Sequence, residues 1–221
     1  MQEITVLGNK LQLLPEKAIY VEGARSLLVS DVHLGKSETF QRRGIPIPNA
    51  INQVTLNRLQ MLCDNLQPDT LFILGDLFHS KFALVDEVLD RWTDFLKHVS
   101  ADVTLILGNH DRGLIASLGH LPMRCSTDAV QLDNLLLSHE PSSPKQRLNI
   151  CGHVHPCIRL KTKLDNLRLP CFHLETSHNR LTLPSFGEFT GGYDVSLASG
   201  EIAYAIAEET IIPLDARLSF A

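Results

Sequence analysis

Residues 68–79 read P-D-T-L-F-I-L-G-D-L-F-H. A Pro-Asp turn opens an apolar run rich in strand formers. The run stops at a glycine, and a carboxylate and an imidazole follow. The same form recurs on either side, as R-S-L-L-V-S-D-V-H (25–33) and A-D-V-T-L-I-L-G-N-H-D (101–111). Each is a buried strand ending in a polar loop. The segments between them carry helical periodicity. One helix is expected over about 49–66, with Asn49 as N-cap and Ile51, Val54, Leu56, Leu59, Leu62 and Leu66 as its apolar residues. A second is expected over about 84–98, with Val85, Val88, Leu89, Trp92, Phe95 and Leu96 on one face. Strands alternating with helices predict parallel βαβ units.

The second half differs. A-V-Q-L-D-N-L-L-L-S-H-E-P (129–141) predicts a hairpin around Asp133-Asn134. R-L-N-I-C-G-H-V-H-P (147–156) is another apolar strand running into histidines, and short strands are expected at 157–160, 169–175, 180–183 and 202–206. A second, more antiparallel sheet packed on the first gives an α/β sandwich. The 221 residues suffice for one domain, expected to span 1–221.

Composition narrows the function classes. A hydrophobic content of 44% is that of a globular domain, and a formal net charge of −5 supplies no global electrostatic footprint for nucleic acid or membrane. An anionic substrate therefore needs a local basic loop or bound metal. No apolar run approaches the roughly 18 residues of a membrane span. The opening M-Q-E-I-T-V-L-G-N-K has no signal-peptide pattern. Five scattered cysteines, an odd number, read as reduced thiols, and the expected location is cytoplasmic.

The stretch N-I-C-G-H-V-H-P-C (149–157) sets Cys151, His153, His155 and Cys157 at alternating positions, which suggests zinc. Geometry argues against a self-contained site. Residues two apart on a strand are separated by roughly 6–7 Å, whereas zinc needs every donor about 2.0–2.3 Å from one ion. The remaining donors must come from elsewhere. Five strand ends offer them: Asp31-x-His33, Gly75-Asp76, Gly108-Asn109-His110-Asp111, Ser138-His139-Glu140-Pro141 and Gly152-His153-x-His155-Pro156. In open α/β sheets ligands bind at the carboxyl ends of strands. Carboxylates, a carboxamide and imidazoles suit Mn²⁺, Fe or Zn²⁺. The glycines at 75, 108 and 152 are read as turn residues. Asp31 and Asp76 also fit as helix N-caps, a reading that leaves His33 unexplained.

The five blocks, in this order over residues 27–156, resemble the calcineurin-like metallophosphoesterase superfamily. The resemblance implies a four-layer αββα sandwich of two mixed sheets flanked by helices. It implies two divalent ions, with Mn²⁺ expected and Fe or Zn²⁺ as alternatives. Asp31, His33 and His155 would hold one ion, Asn109, His139 and His153 the other, with Asp76 between them. Hydrolysis would proceed by a hydroxide bridging the ions. His110 would act at the leaving-group oxygen, oriented by Asp111.

A narrower resemblance rests on S-D-V-H-L-G-K-S-E-T-F-Q-R-R-G-I-P-I-P (30–48) and L-P-S-F-G-E-F-T-G-G (183–192). These blocks are similar to the PdeM-type ligase-associated DNA damage response endonuclease family. That implies phosphodiester hydrolysis on DNA in repair, with a DNA ligase and a helicase as partners by family grouping. Arg42, Arg43 and Arg112 are candidate phosphate contacts. Phe40, Phe186 and Phe189 are candidates for base stacking or for the core. His79 is either substrate-facing or structural. The alternatives are a phosphomonoesterase or cyclic-nucleotide phosphodiesterase with the same metals and, in a different class, a binding module on the same fold. The intact ligand set and His110 favour the enzyme.

Overall fold

The computed structural model describes residues 1–42, 44–45, 47, 50–161, 166–188 and 190–218. The stretch 68–79 forms one of three aligned parallel strands. The first sheet runs in sequence order: β1 (Gln2–Val6), β2 (Asn9–Leu14), β3 (Ala18–Val21), β4 (Ser26–Val29), β5 (Thr70–Leu74), β6 (Asp102–Ile106) and β7 (Arg124–Ser126). Pairing is antiparallel from β1 to β4 and parallel from β4 to β7. The antiparallel β1–β3 meander was not among the sequence expectations.

Helices α1 (Lys36–Gln41) and α2 (Ala50–Leu66) connect β4 to β5, α3 (Asp86–His98) connects β5 to β6, and the single turn α4 (Ile115–Leu118) leads to β7. α2 and α3 lie where periodicity puts them. The proposed N-cap Asn49 falls outside the described residues. Val54 departs from the expected face and is exposed, while Leu56, Leu59 and Leu62 are buried.

The second sheet has nine strands. They are β8 (Val130–Leu132), β9 (Leu135–Leu137), β10 (Leu148–Cys151), β11 (Pro156–Lys161), β12 (Asn166–Glu175), β13 (Arg180–Thr182), β14 (Tyr193–Asp194), β15 (Glu201–Ala207) and β16 (Thr210–Asp215). The order is β14-β11-β12-β13-β10-β9-β8, with β15 beside β12 and β16 beside β15. β8 and β9 form the expected hairpin, and Asp133 enters its turn at φ 50°. β9, β10 and β13 are parallel neighbours, so this sheet is mixed as well.

The two-residue period of the strands divides the core in two. Leu27, Val29, Leu71, Ile73, Val103 and Leu105 face the helices and pack with Leu56, Leu59, Trp92 and Phe95. Leu28, Phe72, Leu74 and Ile106 face the other way and meet Leu137, Ile150, Phe172, Leu181 and Tyr204 of the second sheet. The sandwich of two mixed sheets is therefore as expected. Among the described residues the helices pack on the first sheet only. The outer face of the second carries small and aliphatic residues, Cys171, Ala203, Ala205 and Leu214, packed by Val195 and Leu197 of an irregular segment. No described helix is long and apolar enough to cross a membrane.

Phe172 is fully buried between the sheets. Phe172→Ala should cost about 3–5 kcal/mol. Trp92, the chain's one tryptophan, reports unfolding by its emission. A lower urea midpoint at unchanged slope is expected, and an unchanged midpoint would contradict this packing.

Candidate metal centre

Strand register brings the five polar blocks together. Val29 aligns with Ile73 and Leu74 with Ile106 across parallel strands, so the loops after β4, β5 and β6 leave at one edge. Pairing continues beyond the strands. Asp31 N donates to Gly75 O (3.0 Å), His33 N to Asp76 O (2.9 Å) and Leu34 N to Leu77 O (2.8 Å). From the second sheet, β9 and β10 end together, and Gly152 N donates to His139 O (3.1 Å).

The expected ligand residues converge there. Donor atoms of Asp31, His33 and His155 all lie within 4.8 Å of one another, as do those of Asp31, Asp76 and His139. Asp31 thus belongs to both clusters, a position the sequence reading gave to Asp76. Asp76 lies beside it, with Oδ2 3.6 Å from His139 Nε2 and 3.9 Å from His110 Nε2. Asn109 Oδ1 is 3.0 Å from both His139 Nε2 and His153 Nδ1, and those nitrogens are 3.1 Å apart. Cys151 and Cys157 join neither cluster; Cys151 is buried against Thr182.

The proton inventory fits a cation. A carbonyl only accepts, so His139 Nδ1 must donate to Leu74 O (2.9 Å) and His155 Nδ1 to Gly191 O (3.1 Å). In the neutral rings both Nε2 atoms are then bare. His155 Nε2 faces Asp31 Oδ1 at 2.9 Å, yet neither atom has a hydrogen-bond partner, and the buried His33 Nδ1 has none. Two facing lone pairs repel unless a proton or a cation lies between them. Asn109 Oδ1, His139 Nε2 and His153 Nδ1 pose the same problem, with at most one proton among three acceptors. The buried orphans Asp31 Oδ1, His33 Nδ1 and His155 Nε2 suit an ion bound by oxygen and imidazole nitrogen, and the crowded acceptors of Asn109, His139 and His153 suit one as well.

Burial sets the charge states. It pushes the His33 imidazole down to about 3, leaving a neutral donor. It raises the Asp76 carboxyl despite the opposing pull of His139. At Asp31 burial also pushes upward, but contact with His155 outweighs it and the carboxyl ends below its usual range. Burial would lower His155, and Asp31 overrides it.

The backbone is strained where donors are presented. Asp31 (φ 55°), His33 (51°), Asp76 (53°), His153 (67°) and His155 (53°) all adopt the left-handed region. For a residue with a Cβ this costs about 1–2 kcal/mol each. The glycines act differently from the turn role expected of them. Gly75 does turn at φ 84°. At Gly108 and Gly152 close approach is what excludes a side chain. A Cβ on Gly108 would lie 2.1 Å from Asp76 Oδ1, and one on Gly152 1.6 Å from Ser30 Oγ and 2.4 Å from Asp31 Oδ2.

His110 donates its backbone N–H to Asp76 Oδ1 (2.9 Å), and its ring stacks on His79 with centroids 5.3 Å apart. His79 in turn stacks on Phe40 at 6.2 Å and meets His33 edge-on at 5.3 Å. The expectation that Asp111 orients the His110 ring is corrected. Fully buried, Asp111 accepts from the backbone N–H groups of Leu77 (3.3 Å), Phe78 (3.2 Å) and Gly108 (3.1 Å). It ties the loop after β5 to the loop after β6 that carries His110. Burial raises its carboxyl even so.

The basic candidates fare unevenly. Arg42 lies over the Phe82 ring, 5.2 Å from its centroid. Arg112 is exposed and pairs with Glu140 at 3.1 Å. Arg43 and Phe189 fall outside the described residues. Phe186 is core, fully buried under the Arg58 guanidinium.

Sequence reasoning missed what holds the centre from behind. Segment 183–188 crosses under the loop after β4: Ser185 Oγ donates to Asp31 O (2.8 Å), Phe186 N to Ser30 O (2.8 Å) and Gly187 N to Asp31 O (3.0 Å). Arg58 of α2 bonds Phe186 O and Glu188. Gly191 O then fixes the His155 tautomer. The L-P-S-F-G-E-F-T-G-G block was the available signal, and its partners Ser30, Asp31 and Arg58 lie more than 100 positions away. Gly152→Ala should leave a folded protein whose Mn²⁺ affinity, read by calorimetric titration, falls at least about tenfold as Asp31 is displaced. Wild-type affinity would contradict the geometry.

Comparison with known proteins agrees with this arrangement. Residues 24–191 match the family model for calcineurin-like phosphoesterases. The structure of Pseudomonas putida nuclease MPE is similar at a TM-score of 0.82 and 35% identity, over 96% of this chain and 99% of that one. A phosphoesterase from E. coli, Yfce, is a more distant likeness at 18% identity and a TM-score of 0.45, over 86% of this chain and 97% of that one. No curated protein matches significantly. A family model spanning most of the chain and a relative of this identity over nearly its whole length place the protein: it belongs to the calcineurin-like phosphoesterase family and is a metal-dependent phosphoesterase.

Proposed function

We propose that this enzyme hydrolyses phosphodiester bonds, with DNA as its substrate, at a centre of two divalent ions. The observation that carries the reading is the pair of proton-poor clusters side by side, Asp31–His33–His155 and Asn109–His139–His153, with Asp76 beside Asp31 and His139. Such ions, when bound, polarise the phosphoryl oxygens and make water a nucleophile at neutral pH. Mn²⁺ is the proposed ion, on the mixed oxygen and nitrogen donor set.

The chain's residues do the rest. Asp31, His33 and His155 hold one side of the centre, and Asn109, His139 and His153 the other. Asp76 would lie between the ions; burial disfavours its charge, and the neighbouring His139 opposes that. His110 is half-exposed on the open side, with Nε2 aimed toward Asp76. There it holds a proton for the departing oxygen. Asp111 fixes the loop that carries it. Phe40 and His79 back the His110 ring, which limits its rotation. A nucleic acid is favoured because the similar Pseudomonas putida protein is a nuclease, and DNA over RNA by the motif resemblance. Arg42 adds a cation to the rim of an otherwise acidic protein. A place in DNA repair beside a ligase and a helicase rests on the motif resemblance alone.

The Mn²⁺-loaded enzyme should cleave bis-p-nitrophenyl phosphate faster than p-nitrophenyl phosphate; cleavage of the monoester only would refute the diesterase reading. Asp76→Asn should abolish turnover and weaken metal binding. His110→Ala should keep both ions by elemental analysis while kcat falls roughly 10²–10⁴-fold. Loss of metal from that variant would show His110 to be a ligand.

A further inference from the structure

Behind His155 lies a second concavity of about 230 Å³, lined by Lys17, His155, Cys157, Arg168, Glu188 and Gly191 among others. His155 is the partition. Its Nε2 faces Asp31 in the metal centre, and the same residue walls this pocket. The pocket is therefore one imidazole away from the reacting position.

Two cations, Lys17 and Arg168, and one carboxylate, Glu188, are among its lining residues, and they belong to a wider charge network. Lys17, Arg58, Arg159 and Arg168 share two carboxylates, Glu188 and Asp194. Arg168 is committed, bonding both Asp194 and Gly192 O. Arg58 holds Glu188 tightly. Lys17 gets what is left: its ion-pair partner among the described residues is the same Glu188, at 3.7 Å. The lysine sits in the β2–β3 turn at φ 68°, and its side chain is only 19% exposed. Burial lowers the ammonium's pKa, and Glu188 offsets this only in part. A desolvated ammonium that shares its one described counter-ion with Arg58, on the wall of a pocket beside a phosphoesterase centre, has room for a second anion.

We propose that this pocket binds a phosphate neighbouring the scissile one in a polynucleotide, with Lys17 as its contact, and that Lys17 thereby selects polymeric over minimal phosphodiesters. The inference rests on the phosphodiesterase reading above and adds a subsite to it. A single-phosphate substrate cannot reach past His155 and does not sense Lys17. A strand presents phosphates on both sides of the cut, and the pocket takes one of them. Each phosphate neutralised by a protein cation adds about one unit to the salt dependence of binding.

The test compares wild type, Lys17→Ala, Lys17→Gln and Lys17→Arg, each Mn²⁺-loaded, on bis-p-nitrophenyl phosphate and on a fluorescein-labelled single-stranded oligodeoxynucleotide. The Ala and Gln variants should raise KM for the oligonucleotide about tenfold and flatten its log–log salt slope by about one unit. Their kinetics on the small diester should stay within about twofold of wild type, and Lys17→Arg should restore the oligonucleotide KM. A wild-type KM and salt slope in the Ala and Gln variants overturns the subsite. So does an equal loss on both substrates, which would mark Lys17 as a prop for His155. Wild-type enzyme that cleaves the small diester but leaves the oligonucleotide intact overturns the polynucleotide reading itself, and the subsite with it.

Discussion

Asn109 Oδ1, His139 Nε2 and His153 Nδ1 lie 3.0–3.1 Å apart with too few protons to bond them all, and Asp31 and His155 repeat the conflict 2.9 Å apart beside them. With neither a proton nor a cation between them, these groups repel. The rest of the structure works to hold them together. Parallel register in both sheets delivers the loops to one edge. Five donor residues accept left-handed backbone to turn inward. Gly108 and Gly152 give up side chains so that Asp76 and Asp31 can lie against the neighbouring loop. Asp111 and segment 183–188 fasten the loops from behind. Strain of this kind persists only where the surroundings over-determine it, and a bound cation turns the repulsion into coordination.

Much of this was legible in the sequence, for identifiable reasons. The three strand–loop units carry a continuous apolar run ended by a small residue and a donor, and α2 and α3 carry clear periodicity. The ligand residues follow one another in an order that chance rarely supplies. What escaped notice depends on long-range contact. Asp111 looks like a partner for the adjacent His110, yet its oxygens go to amides more than 30 positions away in the chain. Gly108 and Gly152 look like turn residues, but only their neighbours in space explain them. The β1–β3 meander carries no donors, so a motif-led reading passes over it. Helices on one sheet alone follow from the second half having strand pattern throughout, with small residues on its outer face.

The electrostatics are compatible with the proposed polyanionic substrate even though the chain is acidic. Metal charge dominates such a centre, and the protein's own cations are needed only at its margins. Two of them, Lys17 and Arg168, lie beyond His155. Elsewhere a negative surface discourages indiscriminate binding. This division assigns the chemistry to the ions and their ligands, and the choice of substrate to a few side chains around them.

The central claim is that one edge of the sandwich holds two ions and not one. Crystals soaked in Mn²⁺ and measured at the manganese absorption edge test it directly. Two anomalous peaks are expected, one among Asp31, His33 and His155 and one among Asn109, His139 and His153, with Asp76 touching both. A single peak, or peaks away from Asp76, would contradict the account.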